Sequence, residues 1–364
     1  MAHSEKKGPP ILEITLTEVK PLIKDCFRAH ITPQLISSPG VGKSAILAEI
    51  AKEWNLKLID IRLTEYDPTE LNGYPFILNP KAERDEVRAG HVPMETFPIE
   101  SDPLPINPKT GKAYQGWLIL LDEFPSAALA VQAAAYKITL DRMIGNHKLH
   151  KNCFVATAGN KATDKAIVNR LSTAQQSRMV TLVIKVCSKA WLTWAERVKI
   201  DYRVRSFIRW KPDQIHQFDP NHADLTFPCP RTWHFVSRLA IANKWEEIVY
   251  SKLPVLAGTV GHGAARMFYS FCEVFGRLPD IKDIVADPVN CKLPDEISVY
   301  HAAAGLVSHH IDKSNAAPLI KFLDRLPADL QTVTLRNAIK RDDELRSVKE
   351  VLVWASMNTK ELIA

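Results

Sequence analysis

The sequence predicts an α/β domain on a mostly parallel sheet, followed by a mostly helical second domain. Short apolar runs recur at Gln34–Ile36, Leu56–Leu63, Trp117–Leu121, Cys153–Ala158 and Met179–Ile184, separated by helical or turn-rich sequence. The run Trp117–Leu121 is uninterrupted, the pattern of a strand buried on both faces. Beyond about Cys187 the strand-like runs fade. Helical patterns then cover Trp191–Val198, Tyr202–Trp210, Thr232–Trp245, Ala264–Phe275, Ile297–Ile311 and Asn315–Leu326. The expected organisation is a flexible tail over 1–15, an α/β core over 16–187 with an insertion at about 71–116, and a helical lid and C-terminal extension over 188–364.

Residues 1–10 are polar and end in prolines, which reads as a loose tail. A helix is expected from Thr17 to about Ala29, with Leu22, Ile23, Cys26 and Phe27 on its apolar face. The next stretch, Ser37-Ser38-Pro39-Gly40-Val41-Gly42-Lys43-Ser44, sits between a short apolar run and a helical pattern that starts at Ala45 and reaches about Trp54. Strand, glycine-bearing turn, lysine, hydroxyl and helix form the recipe for a phosphate cradle. Backbone N–H groups converge on the anion, the lysine adds a point charge, and the hydroxyl is a ligand for Mg²⁺. Pro39, Gly40, Val41, Gly42, Lys43, Ser44 and Ala45 are therefore the candidate nucleotide-binding residues. Ser37 stands where the GxxxxGK[ST] pattern has its first glycine, a position serine tolerates if φ stays negative.

Leu56–Leu63 alternates as a strand does. From Asp67 the period is lost, and Leu71-Asn72-Gly73-Tyr74-Pro75 opens a long stretch rich in Pro, Gly and charge, a functional loop or insertion. Trp117–Leu121 runs into Asp122-Glu123, which puts two carboxylates at the C-terminal end of a buried strand. There Asp122 is the candidate Mg²⁺ ligand, with Ser44, and Glu123 the group that polarises an attacking water. A helix over Ala127–Leu140 and a hairpin around Ile144-Gly145-Asn146-His147 follow. The strand Cys153–Ala158 then ends at Gly159-Asn160 beside the Asp122 strand, so that the Asn160 amide reaches the same water. Arg178, with Arg170 as its competitor, is the candidate for stabilising transition-state charge. Arg231 begins a helix, where the dipole disfavours a cation, and so points to an anion it meets.

Composition sets few limits. Hydrophobic content of 46% and charged content of 24% are ordinary globular values. A net charge of +6 is spread along the chain rather than gathered in one run. Six cysteines are widely separated without CxxC or metal-ligand spacing, which predicts reduced thiols and a cytoplasmic setting. No apolar run approaches the ~20 residues of a spanning helix. His262 reads as structural, and the adjacent His309 and His310 are poorly spaced for one metal.

In order and spacing, several stretches over roughly residues 30–240 resemble the MoxR-like branch of AAA+ ATPases. They are Ser38–Ser44, Leu71–Pro75, Trp117–Phe124, Val131–Ala134, Ala156–Asn160, Asn169–Ala174, Ser177–Met179 and Pro230–Trp233. The resemblance implies that Lys43 and Ser44 match the Walker A lysine and hydroxyl and that Asp122 and Glu123 match the Walker B pair. It also implies sensor 1 at Asn160, a trans-acting arginine finger at Arg178 and sensor 2 at Arg231. Met179 departs from the usual phenylalanine after the finger, a volume-conserving swap. By the same resemblance the chain is expected to bind ATP and Mg²⁺ and to assemble as a homo-hexamer or other ring with ATP at subunit interfaces. It would remodel a protein client, often one with a von Willebrand A domain. Two other readings stay open. One is a nucleic-acid-directed AAA+ machine, hinted at by scattered lysines in 79–116 and by Arg203-Val204-Arg205-Ser206-Phe207-Ile208-Arg209-Trp210. The other is an ATP-gated scaffold with weak hydrolysis, for which Ser37 is the sequence support.

Overall fold

The computed structural model describes residues 11–78, 88–164, 177–221 and 224–358. The chain divides into two compact units, Met1–Lys185 and Val186–Ala364.

The first unit is built on a six-stranded sheet of β1 (Glu13–Ile14), β2 (Pro33–Ser37), β3 (Leu56–Arg62), β6 (Gly116–Asp122), β9 (Cys153–Asn160) and β10 (Val180–Ile184). Two small ribbons complete its strands: β4 (Tyr74–Leu78) with β5 (Arg88–Val92), and β7 (Met143–Ile144) with β8 (His147–Lys148), both antiparallel. The main sheet has the order β1-β10-β2-β9-β6-β3, and every pairing in it is parallel. All strands therefore point their C-terminal ends at one edge.

Strand alternation divides the apolar side chains between two layers. Trp117, Ile119 and Leu121 of β6 join Ile59, Ile61 and Val155 in a cluster with Phe124, Val131, Ala135 and Ile138. On the other face Phe27 packs on Phe154 with ring centroids 5.4 Å apart, and Trp54 meets the same ring edge-on at 5.5 Å. These contacts seat the helices Leu16–Arg28 and Lys43–Glu53 against the sheet, and Lys20 ties them together by bridging Glu49 and Glu53.

Several elements differ from the sequence reading. Glu13 and Ile14, placed in the tail, form an edge strand beside β10, and residues 1–10 lie outside the described residues. The insertion contains the β4–β5 ribbon, which no period announces. The helix expected over Ala127–Leu140 is α-helical at Leu129–Tyr136 and π-helical at Lys137–Asp141. The hairpin at 144–147 is present, with Gly145 at φ 54 in its turn.

The second unit contains the expected helices at Ser188–Arg197, Tyr202–Trp210, Pro230–Ala242, His262–Phe275, Ile297–His310 and Ala316–Leu323. Four more, Leu253–Val260, Ile281–Ala286, Ala328–Arg341 and Lys349–Met357, are additional to that reading. Phe207 is the hub of its core, with ring centroids 5.2 Å from Trp233, 5.4 Å from Phe268 and 5.6 Å from Phe271. Among the described residues no helix is long and apolar enough to cross a membrane.

One close approach holds the carboxylate-bearing turn to the sheet. A Cβ on Gly159 would overlap the ring of Pro125. Gly159→Ala is expected to lower stability by about 1–3 kcal/mol, as overpacking does. An unchanged urea midpoint would show that the contact is not a constraint.

Candidate functional site

The site grows from the C-terminal edge of β2. Ser37 is its last residue and is fully buried. The chain then turns through Ser38-Pro39-Gly40-Val41-Gly42 into the helix that starts at Lys43. Gly40 at φ 73 and Gly42 at φ 114 are in backbone conformations that residues with a Cβ rarely adopt, which is why this turn requires glycine at both. Ser37 is not among the positive-φ residues, so serine fits the position of the missing first glycine without backbone strain. Val41 is buried and anchors the turn from below, while Ala45 is exposed in the first turn of the helix.

The Lys43 side chain is only 9% exposed. Its ammonium donates to Ser37 Oγ at 3.0 Å and to Asn160 Oδ1 at 3.1 Å, with the Ser37 carbonyl at 3.4 Å. Ser37 and Asn160 are register partners across β2 and β9. The serine that breaks the sequence pattern thus supplies an oxygen to the lysine.

Ser44 Oγ donates to Asp122 Oδ2 at 3.0 Å, and the other oxygen of Asp122 accepts from the Glu123 backbone N–H at 2.8 Å. Glu123 occupies the left-handed region, φ 57 and ψ 27, a conformation that is rare for a residue with a long side chain. Its Oε2 accepts from Thr64 Oγ1 at 2.6 Å. Asp60 lies close enough for the Asp122 charge to contribute to raising its carboxyl above the ordinary value, after burial as the larger cause.

Lys43, Ser44, Asp122, Glu123 and Asn160 therefore meet at one sheet edge. Arg178 does not join them. It lies two residues before β10, whose first residue, Val180, pairs with Pro33 at the start of β2. That places it at the opposite edge, about 16 Å away along a five-residue strand, where its guanidinium lies over the Tyr136 ring at 5.3 Å. Its competitor Arg170 lies outside the described residues. Arg231 belongs to the second unit, exposed in the first turn of the helix Pro230–Ala242. The sequence reading missed Thr64 and Asp60. Thr64 follows an ordinary strand, and nothing in its neighbourhood marks it. Asp60 sits in the alternating run of β3, where a polar residue is expected.

The oxygen set suits a hard cation. A hydroxyl and a carboxylate within hydrogen-bond distance match the sparse protein ligation of Mg²⁺, which keeps water and phosphate in its remaining positions. The glycine turn leading into a helix N-terminus suits the phosphates.

No protein-family model matches the chain. No curated protein matches it either. Among solved structures it is similar to a crystal structure described as a “putative ATPase” from Cytophaga hutchinsonii, at 15% identity and a TM-score of 0.35, over 87% of this chain and 79% of that one. The site's geometry stands without that similarity.

The Lys43 clasp has a direct test in the protein without nucleotide. Asn160→Ala removes an acceptor from a nearly buried ammonium and is expected to cost about 1–2 kcal/mol, read from urea unfolding. Asn160→Asp keeps an acceptor and should unfold no earlier than wild type at neutral pH. Equal behaviour of the two variants would show that the bond does not matter.

Proposed function

We propose that the chain hydrolyses ATP with Mg²⁺, as a remodelling motor of the MoxR-like AAA+ type. The observation that carries this reading is the meeting of Lys43, Ser44, Asp122, Glu123 and Asn160 at the carboxyl edge of a parallel sheet. Open α/β sheets bind ligands at that edge.

In this reading the backbone of Pro39–Ser44, with Ala45 behind it, cradles the phosphates. Lys43 supplies positive charge to them, and Ser44 and Asp122 hold the metal. When bound, Mg²⁺ neutralises charge that develops on the transferring phosphoryl group. Glu123 accepts a proton from the attacking water, and Asn160 orients that water while sharing Lys43. The Thr64 hydroxyl holds Glu123 Oε2 by one bond, which orients the carboxylate and leaves its other oxygen to accept that proton.

Arg178 at the far edge of its own sheet supports a role in a neighbouring subunit's site, and with it a ring, for which a homo-hexamer is the expected form. Arg231 would contact phosphate from the second unit. A protein client, such as one with a von Willebrand A domain, and a cytoplasmic setting belong to the same proposal.

Two experiments test it. Glu123→Gln is expected to lower ATP turnover by about 10²–10⁴, the usual contribution of a general base, while nucleotide binding persists. Turnover at the wild-type rate would remove Glu123 from the chemistry. Mixing inactive Glu123→Gln subunits with inactive Arg178→Ala subunits should restore part of the activity. No restoration in a mixed oligomer would exclude the shared site.

A further inference from the structure

A second concentration of charge lies wholly within the helical unit. The helices Ser188–Arg197, Tyr202–Trp210, Ile297–His310 and Ala328–Arg341 contribute to the walls of a cleft of ≈ 1070 Å³. That volume lies just above the usual small-ligand range of about 300–1,000 Å³. Seven lysine and arginine side chains line it against three carboxylates, Glu196, Asp201 and Glu246.

Two of those carboxylates are already committed. Asp201 takes Arg203 in a fork, with Nε at 3.0 Å and a terminal nitrogen at 2.7 Å. The remaining Arg203 donors reach the carbonyls of Trp245 at 2.8 Å and Glu246 at 2.9 Å. Glu196 pairs with Arg209 at 3.1 Å. Two arginines of the stretch 203–210, which in sequence hinted at nucleic acid, are therefore consumed in internal ion pairs.

Arg205 is different. Its Nε donates to the Ile200 carbonyl at 2.9 Å, and among the described residues it has no direct ion pair, with Glu196 and Asp201 acting on it only at longer range. Arg341, on the facing helix, spends its donors on the carbonyls of Ser308 at 2.7 Å and of His309 and Ile311. Carbonyls do not neutralise its charge, which the Asp342 and Asp312 carboxylates offset only at longer range. The His309 ring stacks on Tyr202 with centroids 4.6 Å apart.

We infer that this cleft, around Arg205, Arg341 and His309, binds a compact polyvalent anion carrying phosphate or carboxylate groups. Arg205 offers a planar fork to such a group. Cations gathered in a half-enclosed cleft repel one another, and an anion relieves that cost. The surroundings of His309 carry the mark of this field. Its imidazole is pushed down to about 4, by burial first and then by His310, Arg341 and Arg205, with Asp201 acting in the opposite direction. The site is independent of the phosphate loop in the first unit and does not rest on the ATPase reading.

The test is a histidine NMR titration of the full chain with pyrophosphate and with citrate, repeated in Lys43→Ala to remove the phosphate loop. The expected result is a saturable change at His309, with its pKa rising towards 6.5, that persists in Lys43→Ala. Arg205→Gln should weaken binding about tenfold, as loss of a charged hydrogen-bonding fork does. If that variant does not fold, the exposed cleft residue Lys340 replaces it as Lys340→Gln, with a loss of about threefold. Binding of pyrophosphate alone identifies a phosphate ligand, and of citrate alone a carboxylate ligand. The inference is overturned by any of three results. They are no saturable change at millimolar anion, a change lost in Lys43→Ala, or a change produced by an oligonucleotide and by neither small anion.

Discussion

The parallel pairing of β2 with β9 sets Ser37 opposite Asn160, and much of the candidate site depends on that register. A nearly buried ammonium needs acceptors, because removing it from water without them costs several kcal/mol. Lys43 finds one on each of the two paired strands. The lysine is consequently tied to the sheet rather than to the turn that carries it. Ser37, seen in sequence only as a departure from a glycine pattern, is part of that tie.

The same sheet separates the candidate site from Arg178. With every pairing parallel, the carboxyl ends gather Ser44, Asp122, Glu123 and Asn160, while the other edge carries Arg178. A single short strand thus separates this cation from the candidate site of its own unit. At the carboxyl edge, Asp122 is read twice, by the Ser44 hydroxyl and by the Glu123 backbone. The second contact accompanies the unusual left-handed backbone of Glu123, and Pro125 against Gly159 holds the following turn in place. Strain here is local and supported from below, the usual arrangement at a functional turn.

In the helical unit the organising feature is a division among arginines on one helix. Arg203 and Arg209 are buried with carboxylate partners, and a buried pair broken by removal of one partner is strongly destabilising. Arg205 lies between them in sequence and lines the cleft without a direct carboxylate partner among the described residues. Its sequence neighbourhood does not distinguish it.

The sequence by itself determined the central strands and the phosphate loop. A strand buried on both faces must be apolar throughout, and a turn at φ 73 and φ 114 must be glycine, so both leave marks that need no tertiary knowledge. Candidate residues at strand ends followed from those marks. The tertiary structure decided what depends on partners distant in the chain. β1 is two residues long and has no period to read, and the helix Ala328–Arg341 mixes threonine and asparagine into its buried face. Thr64 meets Glu123 across 59 residues only because β3 lies beside β6. Which arginines are paired with carboxylates was likewise settled by packing. A charge is written in the sequence, but its partner is chosen by the fold.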